Sequence, residues 1–364
     1  MPTVAGSYWK HLRLPFQLCL APLFLWGYLL AAEAPGVPIL PLFSPGFALA
    51  FLSLHFGLYA GITAFNSAYD RDAGPVGGML APPPAPPRLL AFSLAVQALG
   101  ALLALAVSPN LLAVYLAIAL LGAAYSWPCT RWKAHPIASA ATVFIGQGAL
   151  GFLAGWVTAR GSLAGFYADR GVLGMLAAAF TTIGLYPLTQ VYQIGEDQAR
   201  GDRTLAVVLG PVRALNFGSG CLLIAAVAAI AVMLGAASHL DAVLIACGYA
   251  LLIWQMARLA RLYAQGPLSI AAGFRAAMRL NFLASAGFLI FLTLHLADGM
   301  NSFAVRRFAP GVLRTQTERA FAIPGSLETK QNKNPPFPSG KADSAAVENR
   351  IQKLATRPTI PHGR

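Results

Sequence analysis

Acidic side chains are scarce in this sequence. Of 364 residues only 13 are Asp or Glu, and charged residues of both signs make up 11% of the chain. A soluble domain carries about 25% charged residues, so the chain does not read as a set of water-soluble domains. Cysteine is sparse too. Cys19, Cys129, Cys221 and Cys247 are scattered with no CxxC pair, which supports neither a zinc site nor a disulfide framework. What the chain has in excess is apolar surface: 57% hydrophobic residues and a mean hydropathy of +0.61, spread as far as Ala297. The formal charge of +13 suggests a nucleic-acid partner only until it is mapped. Of the 26 Lys and Arg, 11 follow Leu296 and most of the rest sit between apolar runs. No nucleic-acid partner is expected.

A bilayer core of about 30 Å needs roughly 20 mostly apolar residues per spanning helix. Nine runs meet that length, at about 14–32, 46–65, 89–107, 109–126, 137–157, 172–193, 214–235, 238–256 and 280–297. The expected fold is therefore all-α, a polytopic membrane protein of nine transmembrane helices. The first run lacks a small-residue cleavage site and reads as helix one, not a signal peptide. Gly146, Gly148, Gly151 and Gly155 read as helix-packing positions. With the N-terminus inside, 13 Lys and Arg fall in inner segments, against only Arg160 and Arg170 outside. That is a clear positive-inside bias. An odd number of spans then puts the C-terminus outside, although Arg306 and Arg307 closely follow the last span. Residues 1–300 form the expected membrane domain. Residues 310–364, rich in Pro, Lys, Asn and Ser, form an expected disordered basic tail.

Up to Ala297 the chain has eight acids, and five of them fall in two clusters, 66–72 and 196–202. Both clusters come after an even-numbered span and so share the inner side. A charge near the bilayer centre costs about 2.5–3.5 kcal/mol, and neighbouring carboxylates repel. Oxygen-rich sites of this kind suit Mg²⁺, typically bridged to a phosphate. The alternative is that these acids only neutralise Arg71, Arg200 and Arg203. Asn66 and Asp70 are four residues apart, on one face of a helical end; Gln190, Gln193 and Asp197 are expected to share a face at the end of helix six. A glycine-rich stretch (74–78) and a proline run (82–87) come after the first cluster, and glycines let backbone amides approach an anion. Arg71, Arg88, Arg131, Lys133 and Arg203 approach from the same side. Acids that hold a cation, beside cations that hold a polyphosphate, describe a diphosphate site at the membrane surface, with an apolar tunnel between helices for a lipid portion.

Three segments resemble the signatures of the UbiA superfamily of intramembrane prenyltransferases. Asn66, Asp70 and Asp72 lie where that family has NxxxDxxxD. The run from Tyr125 through Arg131 to Lys133 is similar to YSxPPxRxK, and Gln193–Gly210 is similar to DxxxDxxxGxRTLAxxLG. The resemblance covers about residues 10–297. It implies a transferase of prenyl groups, with a prenyl diphosphate and a hydrophobic aromatic or lipid-like acceptor as substrates. Asp70 and Asp197 would be the catalytic residues, binding Mg²⁺. Asn66, Arg71, Arg131, Lys133 and Arg203 would hold the substrate. Gly74 and Gln193 stand where the family has aspartates, and Cys129 where it has a second proline. Asp72, Glu196 and Asp202 are the available substitute ligands. The expected location is a bacterial inner membrane, with the site on its cytoplasmic side. Phe65, Tyr69, Tyr125, Tyr186 and Tyr192 are the nearest rings that could face an allylic cation, while His55 and His295 read as hydrogen-bonded packing residues. The competing readings are a UbiA-like lipid cyclase, a sugar-diphosphate-using transferase, or a transporter. A transporter would need acids near the middle of its spans.

Overall fold

The computed structural model describes residues 4–33, 44–167, 170–236 and 238–308. The expected tail beyond 310 lies outside the described residues, as does Asp169. The chain divides into two units, 1–302 and 303–364, and the membrane helices belong to the first.

Among the described residues nine helices are long and apolar enough to cross a membrane: α1 Gly6–Ala32, α2 Pro45–Asp70, α3 Leu89–Val107, α4 Pro109–Ser126, α5 Pro136–Arg160, α6 Gly171–Thr189, α7 Leu205–Gly235, α8 His239–Gln265 and α9 Ile270–Asp298. Several extend past the expected apolar runs. α7 opens with a short helical segment that Thr204 caps, its hydroxyl accepting from the Val207 N–H at 3.4 Å, and that a kink at Gly210 (φ 74°) before Pro211 separates from the rest of the span. α9 starts ten residues early, at Ile270. Arg213, Arg275 and Arg279 are thus helical, since long basic side chains reach water from a helix end.

Small residues set the packing. A Cβ on Gly27 would lie 1.9 Å from the Phe152 carbonyl oxygen, and one on Gly155 would lie 2.0 Å from that of Phe24. α1 and α5 therefore touch backbone to backbone at two points one turn apart, which only glycine permits. The core they share is led by Phe24, Tyr28, Phe152 and Trp156, each almost fully buried. α2 widens into a π-helical stretch over Leu52–Tyr59. His55 lies in it, buried and stacked on Phe51 at 4.1 Å. It is a packing residue, as expected.

α1 and α9, the first and last spans, are joined along a seam. Ser285 donates to the Cys19 carbonyl at 3.3 Å, and Trp26 meets Phe288 and Phe291 edge-on. At the end of the bundle away from the two acid clusters, His295 bridges two carboxylates. Its Nδ1 is 2.7 Å from Asp241 Oδ2 on α8, and its Nε2 is 2.5 Å from Glu33 Oε1 at the end of α1. Ser238 also donates to Asp241. One ring thereby ties three helices.

Candidate active site

The site forms where α2, the segment after α4 and the segment after α6 come together. α2 ends on Asp70 because Arg71 takes a left-handed backbone (φ 49°). Arg131 is also left-handed (φ 40°), so a short 3₁₀ turn, Trp132–Ala134, comes next and Lys133 is buried. The third element departs from expectation. α6 does not carry Gln190, Gln193 and Asp197 along one face, since the helix tightens into a 3₁₀ turn at Tyr186–Thr189 around Pro187 and a separate short helix, Ile194–Ala199, comes after it. Asp197 starts from that second helix. The chain is then tied back to the Trp132–Ala134 turn by the Arg203 N–H, which donates to the Ala134 carbonyl at 2.9 Å.

These elements bring five carboxylates and three cations into one network. Lys133 pairs with Asp70 and donates to Asn66 Oδ1 at 2.9 Å; Ser126 donates to the same oxygen at 3.1 Å. Arg131 grips Asp202 with two bonds of 3.1 and 2.9 Å and lies 3.7 Å from Asp70. Arg200 donates to Asp72 at 2.7 Å and lies within 4 Å of Glu196, Asp197 and Asp202. Asp197 accepts from the Thr204 hydroxyl at 3.1 Å. Burial pushes the Asp197 carboxyl up to about 6, against the opposing pull of Thr204 and Arg200. Burial also lowers Lys133 from the usual lysine range, opposed by Asp70, while the bonds to Asp202 hold Arg131 higher.

Arg71 and Arg203 both lie on the exposed surface, and neither has an ion pair with the network. Arg200 is a site residue that the sequence does not single out. Its position beside Glu196, Asp197 and Asp202 in sequence reads as plain neutralisation, and nothing along the chain reveals its bond to Asp72. Gly74 does leave a space, and Glu196 fills it. A Cβ at 74 would lie 2.6 Å from Glu196 Oε2. Gln193, at the other departure, donates to the Pro75 carbonyl at 2.9 Å and so ties the two acid segments together.

An apolar cavity of about 370 Å³ starts against this network. Asn66 and Ser126 line its polar end, with Tyr125 and Tyr186, whose hydroxyls are 3.0 Å apart. Of the five aromatic candidates only these two face the cavity. Phe65 and Tyr69 pack on each other at 5.1 Å, and Tyr192 packs on Phe274 at 5.3 Å. The acids stand at span ends: Asp70 closes α2 and Asp241 lies in the first turn of α8. The midplane acids a transporter would need are missing from the described residues.

A model of the UbiA prenyltransferase family matches residues 20–285. The chain belongs to the UbiA prenyltransferase family. Membership makes it a membrane-embedded transferase of prenyl groups, and the UbiA fold accounts for the nine helices. Solved structures carry the same fold. A UbiA homologue from Archaeoglobus fulgidus bound to DMAPP and Mg²⁺ is 19% identical and superposes with a TM-score of 0.56 over 79% of this chain and 99% of that one. A digeranylgeranylglyceryl phosphate synthase is 16% identical, with a TM-score of 0.53 over 79% and 98%. A UbiA homologue from Aeropyrum pernix K1 is 18% identical, with a TM-score of 0.52 over 78% and 98%. No curated protein matches the chain in sequence.

Proposed function

We propose that this UbiA-family chain transfers a prenyl group from a prenyl diphosphate to a hydrophobic aromatic or lipid-like acceptor, with Asp70 and Asp197 holding Mg²⁺ and Arg131 and Lys133 holding the diphosphate. The observation that carries this reading is continuity. Asn66 is at once a wall of the apolar cavity and a partner of Lys133, which pairs with Asp70. A molecule with a charged head and a hydrocarbon tail fits that junction.

The residues present fit the metal. Five carboxylates against three cations leave the network two negative charges in excess. Among the described residues no three acid, histidine or cysteine side chains form a ready-made cage. That is consistent with Mg²⁺ held by one or two carboxylates plus phosphate oxygens. When bound, the ion supplies charge stabilisation for a departing diphosphate.

The chain's own residues do the rest. Arg131 and Lys133 face the charge that develops on the diphosphate as the allylic carbon–oxygen bond breaks and its electron pair leaves with oxygen. Tyr125 and Tyr186 present rings to the cationic carbon left behind. The cavity walls exclude water until the acceptor's nucleophile forms the new bond and loses its proton. Asp72, Glu196 and Asp202 are the reserve carboxylates, with Glu196 in the space vacated at Gly74. Arg71 and Arg203, exposed at the surface, are placed to meet a diphosphate arriving from water. The positive-inside count supports a cytoplasmic position for the site, in a bacterial inner membrane.

The test is incubation of the protein in lipid nanodiscs with labelled prenyl diphosphates and a lipid extract, then mass identification of the labelled product. Chelation of Mg²⁺ should abolish transfer. Asp70→Asn or Asp197→Asn should each lower it on the order of 10²–10³-fold, while Asp241→Asn should not change turnover per folded molecule. Metal-independent transfer, or full activity in the Asp70→Asn/Asp197→Asn double variant, would overturn the reading.

A further inference from the structure

We propose that the acceptor is a neutral hydroxyl compound, an alcohol or a phenol, and that Gln17 and Gln147 hold its hydroxyl group inside the cavity; this rests on the prenyl-diphosphate reading above and deepens it. Among the described residues no charged side chain lines the cavity. Most polar side chains on its wall are spent within the protein. Thr142, Thr181 and Thr182 each donate to a carbonyl one turn back on their own helix. Two carboxamides are not spent in this way.

Gln17 is 1% exposed and lines the cavity. Its Nε2 donates to the Leu12 carbonyl at 2.8 Å and to the Thr63 hydroxyl at 3.2 Å. A carbonyl oxygen only accepts, so the branch beside Leu12 is the amide nitrogen, and both its hydrogens are used. That leaves Oε1 without a partner among the described residues, and it is not one of the orphaned atoms sealed in the core. An amide oxygen in that position costs free energy until a donor reaches it. Gln147 lies in a π-helical stretch of α5, Val143–Ala149, and lines the same cavity. Stretches of this kind recur at functional sites. Gln147 makes no hydrogen bond among the described residues. A hydrocarbon chain gives neither carboxamide anything in return for lost water.

The two lie at similar depth, close to the charged network. Thr63 precedes Asn66 by three residues, about 4.5 Å along α2, so Gln17 sits about one turn inside the polar end of the cavity. Gly151 of α5 packs on α1, where an added Cβ would lie 3.7 Å from the Leu23 Cβ. Four residues nearer the mouth on each helix stand Gln147 and Cys19, the latter two residues from Gln17. An acceptor must bring its reacting group to this depth, beside the first carbon of the donor. The free atoms then select the group. Gln17 offers an acceptor alone, while Gln147 offers donors and an acceptor. A hydroxyl donates one bond and accepts others, so it satisfies both. A carboxylate only accepts; it would oppose Gln17 Oε1 and find no counter-charge on the wall.

The experiment titrates the full chain in nanodiscs, with empty nanodiscs subtracted, against para-hexylphenol, its methyl ether and para-hexylbenzoate. Decanol and its methyl ether form a second pair. The hydroxyl compound should bind about tenfold more tightly than its ether, the scale set by a buried acceptor that gains or lacks its donor. The benzoate should bind no more tightly than the ether. A preference in one pair alone supports the subsite and tells phenol from alcohol. Gln147→Leu breaks no bond among the described residues and should remove most of the preference, and Gln17→Met should do the same. In both variants the Kd of farnesyl diphosphate with Mg²⁺ should stay as in the wild type, whereas a merely structural role for Gln17 would weaken donor and hydroxyl compound together. Equal binding of hydroxyl compound and ether in both pairs, tightest binding of the benzoate, or an undiminished preference in either folded variant would overturn the subsite alone. Failure of farnesyl diphosphate to bind the wild type, with the preference present, would overturn the prenyl-diphosphate reading and uphold the hydroxyl subsite.

Discussion

The Asp70–Lys133 pair offers a way to separate what the site costs from what it does. Both side chains are at least nine-tenths buried. Removing one partner of a buried pair leaves the other charge uncompensated and costs about 3–5 kcal/mol. The structure sets ceilings on that loss. In Asp70→Asn, Lys133 can escape by losing its proton, and holding a lysine with an ordinary value of 10.5 neutral at pH 7 costs about 5 kcal/mol. In Lys133→Met, Asp70 can escape by taking up a proton, at about 4 kcal/mol at the same pH. Each single variant should therefore lose several kcal/mol, a fall in melting temperature on the order of 10 °C. The double variant Asp70→Asn/Lys133→Met buries neither charge and should recover most of the loss. Transfer activity should be lost in all three. Thermal unfolding in detergent, without Mg²⁺ or diphosphate, reads the stabilities. The sign with pH adds a second check. If Lys133 is neutral in folded Asp70→Asn and charged when unfolded, the deficit of that variant should shrink by about 1.4 kcal/mol for each pH unit between 7 and 10. Additive losses in the double variant, or a pH-independent deficit, would refute the argument that these two charges support each other.

Other parts of the structure carry three further expected outcomes. The Asp197 carboxyl, raised to about 6 from an ordinary 3.8, favours its protonated form when folded; the ligand-free protein should gain stability as pH falls from 7 toward 5, and Asp197→Asn should lose that gain. Mg²⁺ titrations at pH 7.5 and 5.5 should show weaker binding at the lower pH in the wild type, and equal affinity at the two would contradict the raised value. Gly74→Asp should impair transfer by setting a second carboxylate against Glu196, while Gly74→Asp with Glu196→Gly should restore it; transfer rates of the two variants decide this. His295→Leu should leave turnover per folded molecule intact but lower the melting temperature, because Glu33 and Asp241 are then left facing each other; an unchanged melting curve would show that the bridge carries no load.

Much of this was legible in the sequence because it depends on local composition. Hydropathy alone locates nine spans, and the rarity of acids makes Asp70 and Asp197 stand out. Helix ends were less legible. The capped segment ahead of α7 depends on Thr204 and on the kink at Gly210, and the early start of α9 depends on arginines that remain helical while reaching water. Pro187 divides what the pattern reads as one helix into a 3₁₀ turn and a separate short helix. Partnerships across the fold were not legible at all. Arg200 meets Asp72 over a separation of 128 residues, and His295 meets Glu33 over 262. Arg71 and Arg203 carry the right charge in the right segments, yet both are exposed and neither pairs with the acids of the network. The Glu196 side chain fills the space at Gly74 only because two segments more than a hundred residues apart lie side by side.

The seam between α1 and α9 has a consequence for how the chain assembles. The first helix to be synthesised meets its partners Ser285, Phe288, Phe291 and His295 only after the last has been made. Contacts this distant in sequence form late, because a long loop must close before they repay its entropy. Until then α1 rests on α5 through Gly27 and Gly155, and the hydrocarbon cavity lacks a wall. A chain halted after α8 would still hold all five acids and three cations of the network, but Phe288, Phe291 and the third corner of the His295 bridge would be missing. Such an intermediate presents a charged pocket that opens sideways into lipid, and the final helix adds its last wall.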